Sequence, residues 1–124
     1  MRYMLLVYSS EPPDGLSPEE ALGIRTGHMR VMQEASAKGV LIGAEPLAPT
    51  STATTVRTLN GKAMVTDGPF AETKECLAGY YILECANLDE AIDWAAKIPT
   101  ACQGGPGCIE IRPFRSLGPP PMHE

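Results

Sequence analysis

The sequence predicts an α+β domain in which two strand–helix–strand units flank a β-hairpin. Two observations carry that reading. Apolar runs of strand length alternate with two capped helical segments, in the order β-α-β, hairpin, β-α-β. Asn60-Gly61, at the centre of residues 54–66, is the strongest short turn signal in the chain. The order is the split βαβ, or ferredoxin-like, arrangement with an inserted hairpin. A length of 124 residues suits a single domain.

Residues 2–9 read as the first strand, apolar on both faces: Tyr3, Leu5 and Val7 against Met4, Leu6 and Tyr8. A turn-rich loop follows over residues 10–16. Ser17-Pro18-Glu19-Glu20 starts a helix, because Ser17 can cap, Pro18 suits the first helical position and Glu20 can close a capping box. That helix runs to about Lys38, where Gly39 supplies a left-handed C-terminal residue. Its apolar stripe is Ala21, Ile24, Val31, Met32 and Ala35.

Residues 40–44 form the second strand, closed by Pro46 and Pro49. Residues 54–66 form the hairpin, and a two-residue turn pairs Thr58 with Ala63 and Val56 with Val65. Asp67-Gly68-Pro69-Phe70 is a second turn, and Leu77–Cys85 is a long strand, again apolar on both faces. Asn87 caps a second helix carrying Leu88, Ala91, Ile92, Ala95 and Ala96, which ends before Pro99. Gln103–Gly107 is a loop without the Lys-Ser/Thr of a phosphate loop, and Cys108–Pro113 is the last strand. Residues 116–124 are a Pro-rich C-terminal tail.

Two helices cover only one face of such a sheet. The other face, apolar on the two long strands, needs burial, and a second copy of the chain supplies it most economically. A homodimer is therefore expected, its sheets face to face or partly rolled into a shared barrel.

Composition removes several function classes. Ten Lys and Arg against 15 Asp and Glu leave a net charge of −5, which argues against direct nucleic-acid binding. No apolar run reaches the roughly 18 residues of a membrane span. The basic-then-apolar start is brief, and Glu11-Pro12-Pro13-Asp14 ends it without a small-residue cleavage site, so a cytoplasmic chain is expected. Cys76, Cys85, Cys102 and Cys108 show no CxxC spacing and have only His28 and His123 to assist them, so no metal site is expected. Buried free thiols are the plainer reading, and no cofactor motif stands in the sequence.

His28 breaks the pattern of its helix. At about 100° per residue it falls within the stripe of Ile24, Val31, Met32 and Ala35, so it faces the sheet. It is either a hydrogen-bonded core histidine or an acid/base group in a pocket between helix and sheet. Asp67 is either a turn residue or, if close to His28, the carboxylate that orients the ring. Glu72, Lys74 and Glu75 form a solvated loop or fold over the pocket mouth, with Lys74 holding an anionic group. Tyr8, Phe70 and Tyr80 are candidates for apolar pocket walls.

The stretch Asp67-Gly68-Pro69-Phe70-Ala71-Glu72-Thr73-Lys74-Glu75, followed by Leu77-Ala78-Gly79-Tyr80-Tyr81-Ile82-Leu83-Glu84, resembles the signature of the DGPF branch of the YCII-related family. The opening strand Tyr3–Tyr8, His28 on its helix, and Gly39–Leu47 extend the resemblance to residues 1–115. The resemblance implies a dimeric α/β barrel and a catalytic pair of His28 with Asp67. It also implies association with extracytoplasmic-function sigma factors. Two functions follow as expectations. One is a cofactor-free acid/base enzyme of isomerase, lyase or hydrolase type acting on a small organic molecule. The other is a non-catalytic ligand-binding or regulatory module associated with such a sigma factor.

Overall fold

The computed structural model describes residues 1–12, 14–100 and 107–119. Along the chain come β1 (Arg2–Ser9), α1 (Pro18–Ala37), β2 (Leu41–Pro46), β3 (Thr54–Leu59), β4 (Lys62–Asp67), β5 (Cys76–Glu84), α2 (Leu88–Ala95) and β6 (Gly107–Pro113). Four strands form one sheet in the order β2-β5-β1-β6, and β3-β4 is a separate ribbon inserted between β2 and β5. Every neighbouring pair in the main sheet is antiparallel. Each βαβ unit thus has a strand of the other unit between its own two, which is the ferredoxin-like α+β fold.

Local signals set the element ends. Ser17 Oγ accepts from the Glu20 amide at 3.2 Å, and the Glu20 carboxylate accepts from the Ser17 amide at 3.4 Å. Such a cap stabilises a helix by about 1 kcal/mol. At the other end Gly39, with φ +73°, turns the chain so that Val40 N–H reaches the Ala35 carbonyl at 3.0 Å. Asn87 Oδ1 accepts from the Glu90 amide at 3.0 Å and starts α2. In the ribbon, Asn60 and Gly61 both have positive φ, and the register is Thr58 with Ala63 and Val56 with Val65, as the turn signal requires.

The core lies on one face of the main sheet. Tyr3, Leu5 and Val7 of β1 and Tyr81 and Leu83 of β5 point into it, against Val31 and Ala35 of α1 and Ala91 and Trp94 of α2. The alternate residues Met4, Leu6, Tyr8, Tyr80 and Ile82 occupy the opposite face, half-buried in the single chain. Apolar character on both faces of β1 and β5 is therefore real, and the helices use only one of them.

Several boundaries differ from the sequence reading. β2 continues to Pro46, because an edge strand tolerates a missing N–H. β5 spans Cys76–Glu84 and β6 begins at Gly107. The α1 stripe is buried only at Val31 and Ala35, while Ile24 and Met32 are half-buried and Ala21 is exposed. Buried thiols hold for Cys85, but Cys76 is half-buried and Cys108 is exposed. Strand alternation places Cys108 on the side of Glu110 and Arg112, away from the core. Cys102, the loop residues 103–106 and the tail end with His123 lie outside the described residues.

Leu5 and Leu83 are fully buried at 0% exposure. Leu83→Ala is expected to lower unfolding stability by about 2–5 kcal/mol, read as an earlier urea midpoint.

Candidate active site

A cavity of about 630 Å³ lies between the N-terminal half of α1 and the sheet, with walls that include Val7, Ile24, Met32, Ala44 and Pro99. Its size falls in the range of small-molecule sites, roughly 300–1,000 Å³. Two glycines shape it. A Cβ on Gly27 would stand 2.7 Å from Pro99 Cγ, so glycine lets the segment after α2 close against α1. A Cβ on Gly79 would stand 2.9 Å from the Glu45 carbonyl, so glycine lets β2 approach β5 at the cavity floor.

His28 opens into this cavity. Its Nδ1 is 2.6 Å from Tyr81 Oη, and the two rings stack at 5.9 Å with 24° between their planes. Tyr81 is 3% exposed, and burial pushes its phenol up to about 12. Burial also pushes His28 below the ordinary histidine value of 6.5. Near neutral pH the pair is therefore an uncharged imidazole and an uncharged phenol. A hydroxyl both donates and accepts. When Tyr81 O–H donates to Nδ1, Nε2 carries the ring proton. When Nδ1–H donates to Oη, Nε2 is a free base. Protonation of Nε2 requires the second form, so Tyr81 supports both ends of a proton transfer.

The other candidate residues are dispersed. Asp67 ends β4, is exposed and pairs through its backbone with Thr54; it does not line the His28 cavity. The turn after it is anchored by the Gly68 amide on the Ala53 carbonyl at 2.7 Å and by Thr55 Oγ1 on the Gly68 carbonyl at 2.8 Å. Phe70 is 79% exposed. Lys74 and Glu72 line a second, wider cavity of about 790 Å³ with Ser10, Glu11, Thr50 and Gly68. The Glu11 carboxylate there is spent on the Thr50 amide and hydroxyl, at 2.9 and 2.8 Å. Glu75 is half-buried, with its carbonyl accepting from Thr73 Oγ1 at 2.6 Å. Tyr8 lies on the far face of the sheet, and Tyr80 borders the His28 cavity with its ring on that far face by strand alternation.

Within the chain, then, the structure joins His28 to Tyr81 rather than to Asp67, and it adds Ser9 and Arg25 to the same cavity. Sequence reasoning did not single out these three. Arg25 was accessible to it, standing three residues before His28 and hence beside it on the helix. Tyr81 shares the face of Leu83, and only the placement of α1 over β5 shows what it meets.

The sequence profile of the YCII-related domain matches residues 1–116. The chain belongs to the YCII-related family. It is also 38% identical over 120 residues to an uncharacterised protein of Rhizobium meliloti, covering 96% of each chain. The His28 cavity is thus a feature of a YCII-related domain that occupies nearly the whole of this sequence.

The lowered His28 value has a consequence for stability. Below pH 6.5 the unfolded chain binds a proton that the folded chain resists, until the lower folded value is passed. Stability from this group is full above pH 6.5 and lost as the pH falls through that folded value. An imidazole NMR titration should place His28 below 6.5, and His28→Gln should flatten the acid side of the urea-midpoint profile.

Proposed function

We propose that this YCII-related protein is an acid/base enzyme in which His28 moves a proton on a small organic molecule. The short His28–Tyr81 hydrogen bond inside a ligand-sized apolar cavity carries the reading. Neutral Nε2 takes a proton from carbon beside a carbonyl while Nδ1–H donates to Tyr81 Oη. Returning the proton at another atom gives isomerisation, and loss of a leaving group gives elimination. The same histidine can instead activate water for hydrolysis. Elimination also breaks the bond to the leaving group, and hydrolysis adds water across the bond that breaks, but none of the three changes the oxidation level overall or needs more than an acid/base group and water, so no cofactor enters the proposal. In this scheme Tyr81 orients the ring, and Asp67, which does not line the cavity, takes no part in the transfer.

The test is exchange of carbonyl-adjacent protons for deuterium, screened by NMR over a panel of small ketones and oxo acids. Where the protein accelerates exchange, His28→Gln should remove about 10²–10⁴-fold of the rate. Tyr81→Phe should lower the rate and move its pH profile, and Asp67→Asn should leave both within about twofold. Exchange that is indifferent to His28→Gln would sink the proposal.

One observation supports a homodimer. The far face of the sheet presents half-buried Met4, Leu6, Tyr8, Tyr80 and Ile82, a contiguous apolar surface. No described helix is long and apolar enough to cross a membrane, and Cys76, Cys85 and Cys108 are free, which suits a reducing, cytoplasmic setting. The second reading, a regulatory module that contacts an extracytoplasmic-function sigma factor, is favoured by the ribbon. There Val56 is 59% exposed, Met64 53% and Val65 67%. Light scattering should return twice the chain mass for the wild type and the single mass for Leu6→Glu combined with Ile82→Glu. A ribbon variant, Val56→Ser with Val65→Ser, should leave proton exchange untouched under the enzyme reading.

A further inference from the structure

The lining of the His28 cavity is amphiphilic in a particular way. Leu16, Ile24, Met29, Met32, Pro46 and Pro99 make it mostly apolar. One cation, Arg25, also lines it, exposed and with no ion pair among the described residues. Glu45 borders the cavity too, but its register partner Tyr80 puts its side chain toward the far face of the sheet. On the inner wall Ser9, 7% exposed, is the one buried polar residue among those described. Its hydroxyl has no hydrogen-bond partner among the described residues and is not sealed from solvent, so it opens to the cavity.

Each feature points to a ligand group. A chain of net charge −5 repels anions overall, so an anionic ligand needs a local cation, and Arg25 supplies a planar fork suited to a carboxylate. An unpaired hydroxyl on a buried wall gains by bonding a carbonyl or hydroxyl of the ligand. Arg25 and His28 stand at i and i+3 on α1, with Cβ atoms about 5–6 Å apart. The anionic group and the reacting carbon are then only a few bonds apart.

We propose that the cavity takes a small, mostly apolar carboxylate of the oxo-acid class, held by Arg25 at the mouth and by Ser9 on the inner wall. This rests on reading the His28 cavity as the substrate site. The probes that test it are phenylbutyrate and phenylbutanol, identical in their apolar body, titrated into the full-length protein and followed by the His28 imidazole resonance. The carboxylate should bind about three- to fivefold more tightly than the alcohol. Arg25→Gln, at an exposed helix position that leaves folding intact, should bring that ratio to about one, and Arg25→Lys should keep part of it. Ser9→Ala should leave both probes unchanged, because neither carries an oxo group, and should weaken 2-oxo-4-phenylbutyrate, whose oxo group Ser9 would bond; a 2-oxo acid that ignores Ser9→Ala overturns the oxo-acid part of the assignment. A ratio near one in the wild type, or a preference that survives Arg25→Gln, overturns the carboxylate assignment alone, because the alcohol still reports an accessible His28 cavity. If neither probe moves His28, the carboxylate assignment falls and the cavity reading falls with it.

Discussion

The structure depends on how α1 meets the sheet. Val31 and Ala35, in the C-terminal half of the helix, pack into one cluster with Leu5 and Leu83 of the two central strands. Ala21, Ile24 and His28, in the first three turns, line a cavity instead. One end of the helix is thus docked and the other is held off the sheet. The docked end contributes apolar burial, at roughly 25 cal/mol for each Å² removed from water. The held-off end leaves room for a ligand without opening the core.

That geometry also explains the electrostatics of the site. Where the helix stands off, His28 Nδ1 meets Tyr81 while the ring lines the cavity, and burial disfavours the charged form of each. The outcome is a neutral pair bridged by one hydrogen bond of 2.6 Å. A tyrosine partner differs from a carboxylate partner in a specific way. A carboxylate accepts only and raises the imidazole value, whereas a phenol donates or accepts and adds no charge. The ring therefore stays a free base at neutral pH, and its tautomer can follow the needs of a proton transfer.

The second surface feature is the ribbon β3-β4. Thr55 alone among its strand residues escapes full exposure, and an isolated two-stranded ribbon is marginal in water. Its anchor is the Asp67-Gly68 turn, tied to Ala53 and Thr55 at the ribbon's base. In one copy of the chain the start of the Asp67 stretch, the most specific sequence signal, closes the base of the ribbon.

Much of the fold was legible in the residues because the signals were local. Ser17 with Glu20, Gly39, Asn60-Gly61 and Asn87 each act within four residues of themselves, and each element starts or turns where they stand. His28 facing the sheet was legible for the same reason, since helical period is a local property. The family was legible from the contiguous stretch after Asp67, and the profile match over residues 1–116 agrees. The partner of His28 was not legible. Tyr81 lies 53 residues away, and strand period says only that it shares a face with Leu83. Which helical turn crosses which strand residue is set by packing in three dimensions, with Val31 and Ala35 of α1 seated in the same cluster as Tyr81 and Leu83. The sequence by itself determined the elements, their order and the inward face of His28. Helical period already puts Arg25 beside His28, and only the tertiary structure decided that Tyr81 and Ser9 stand with them, because contacts between distant elements depend on how those elements pack.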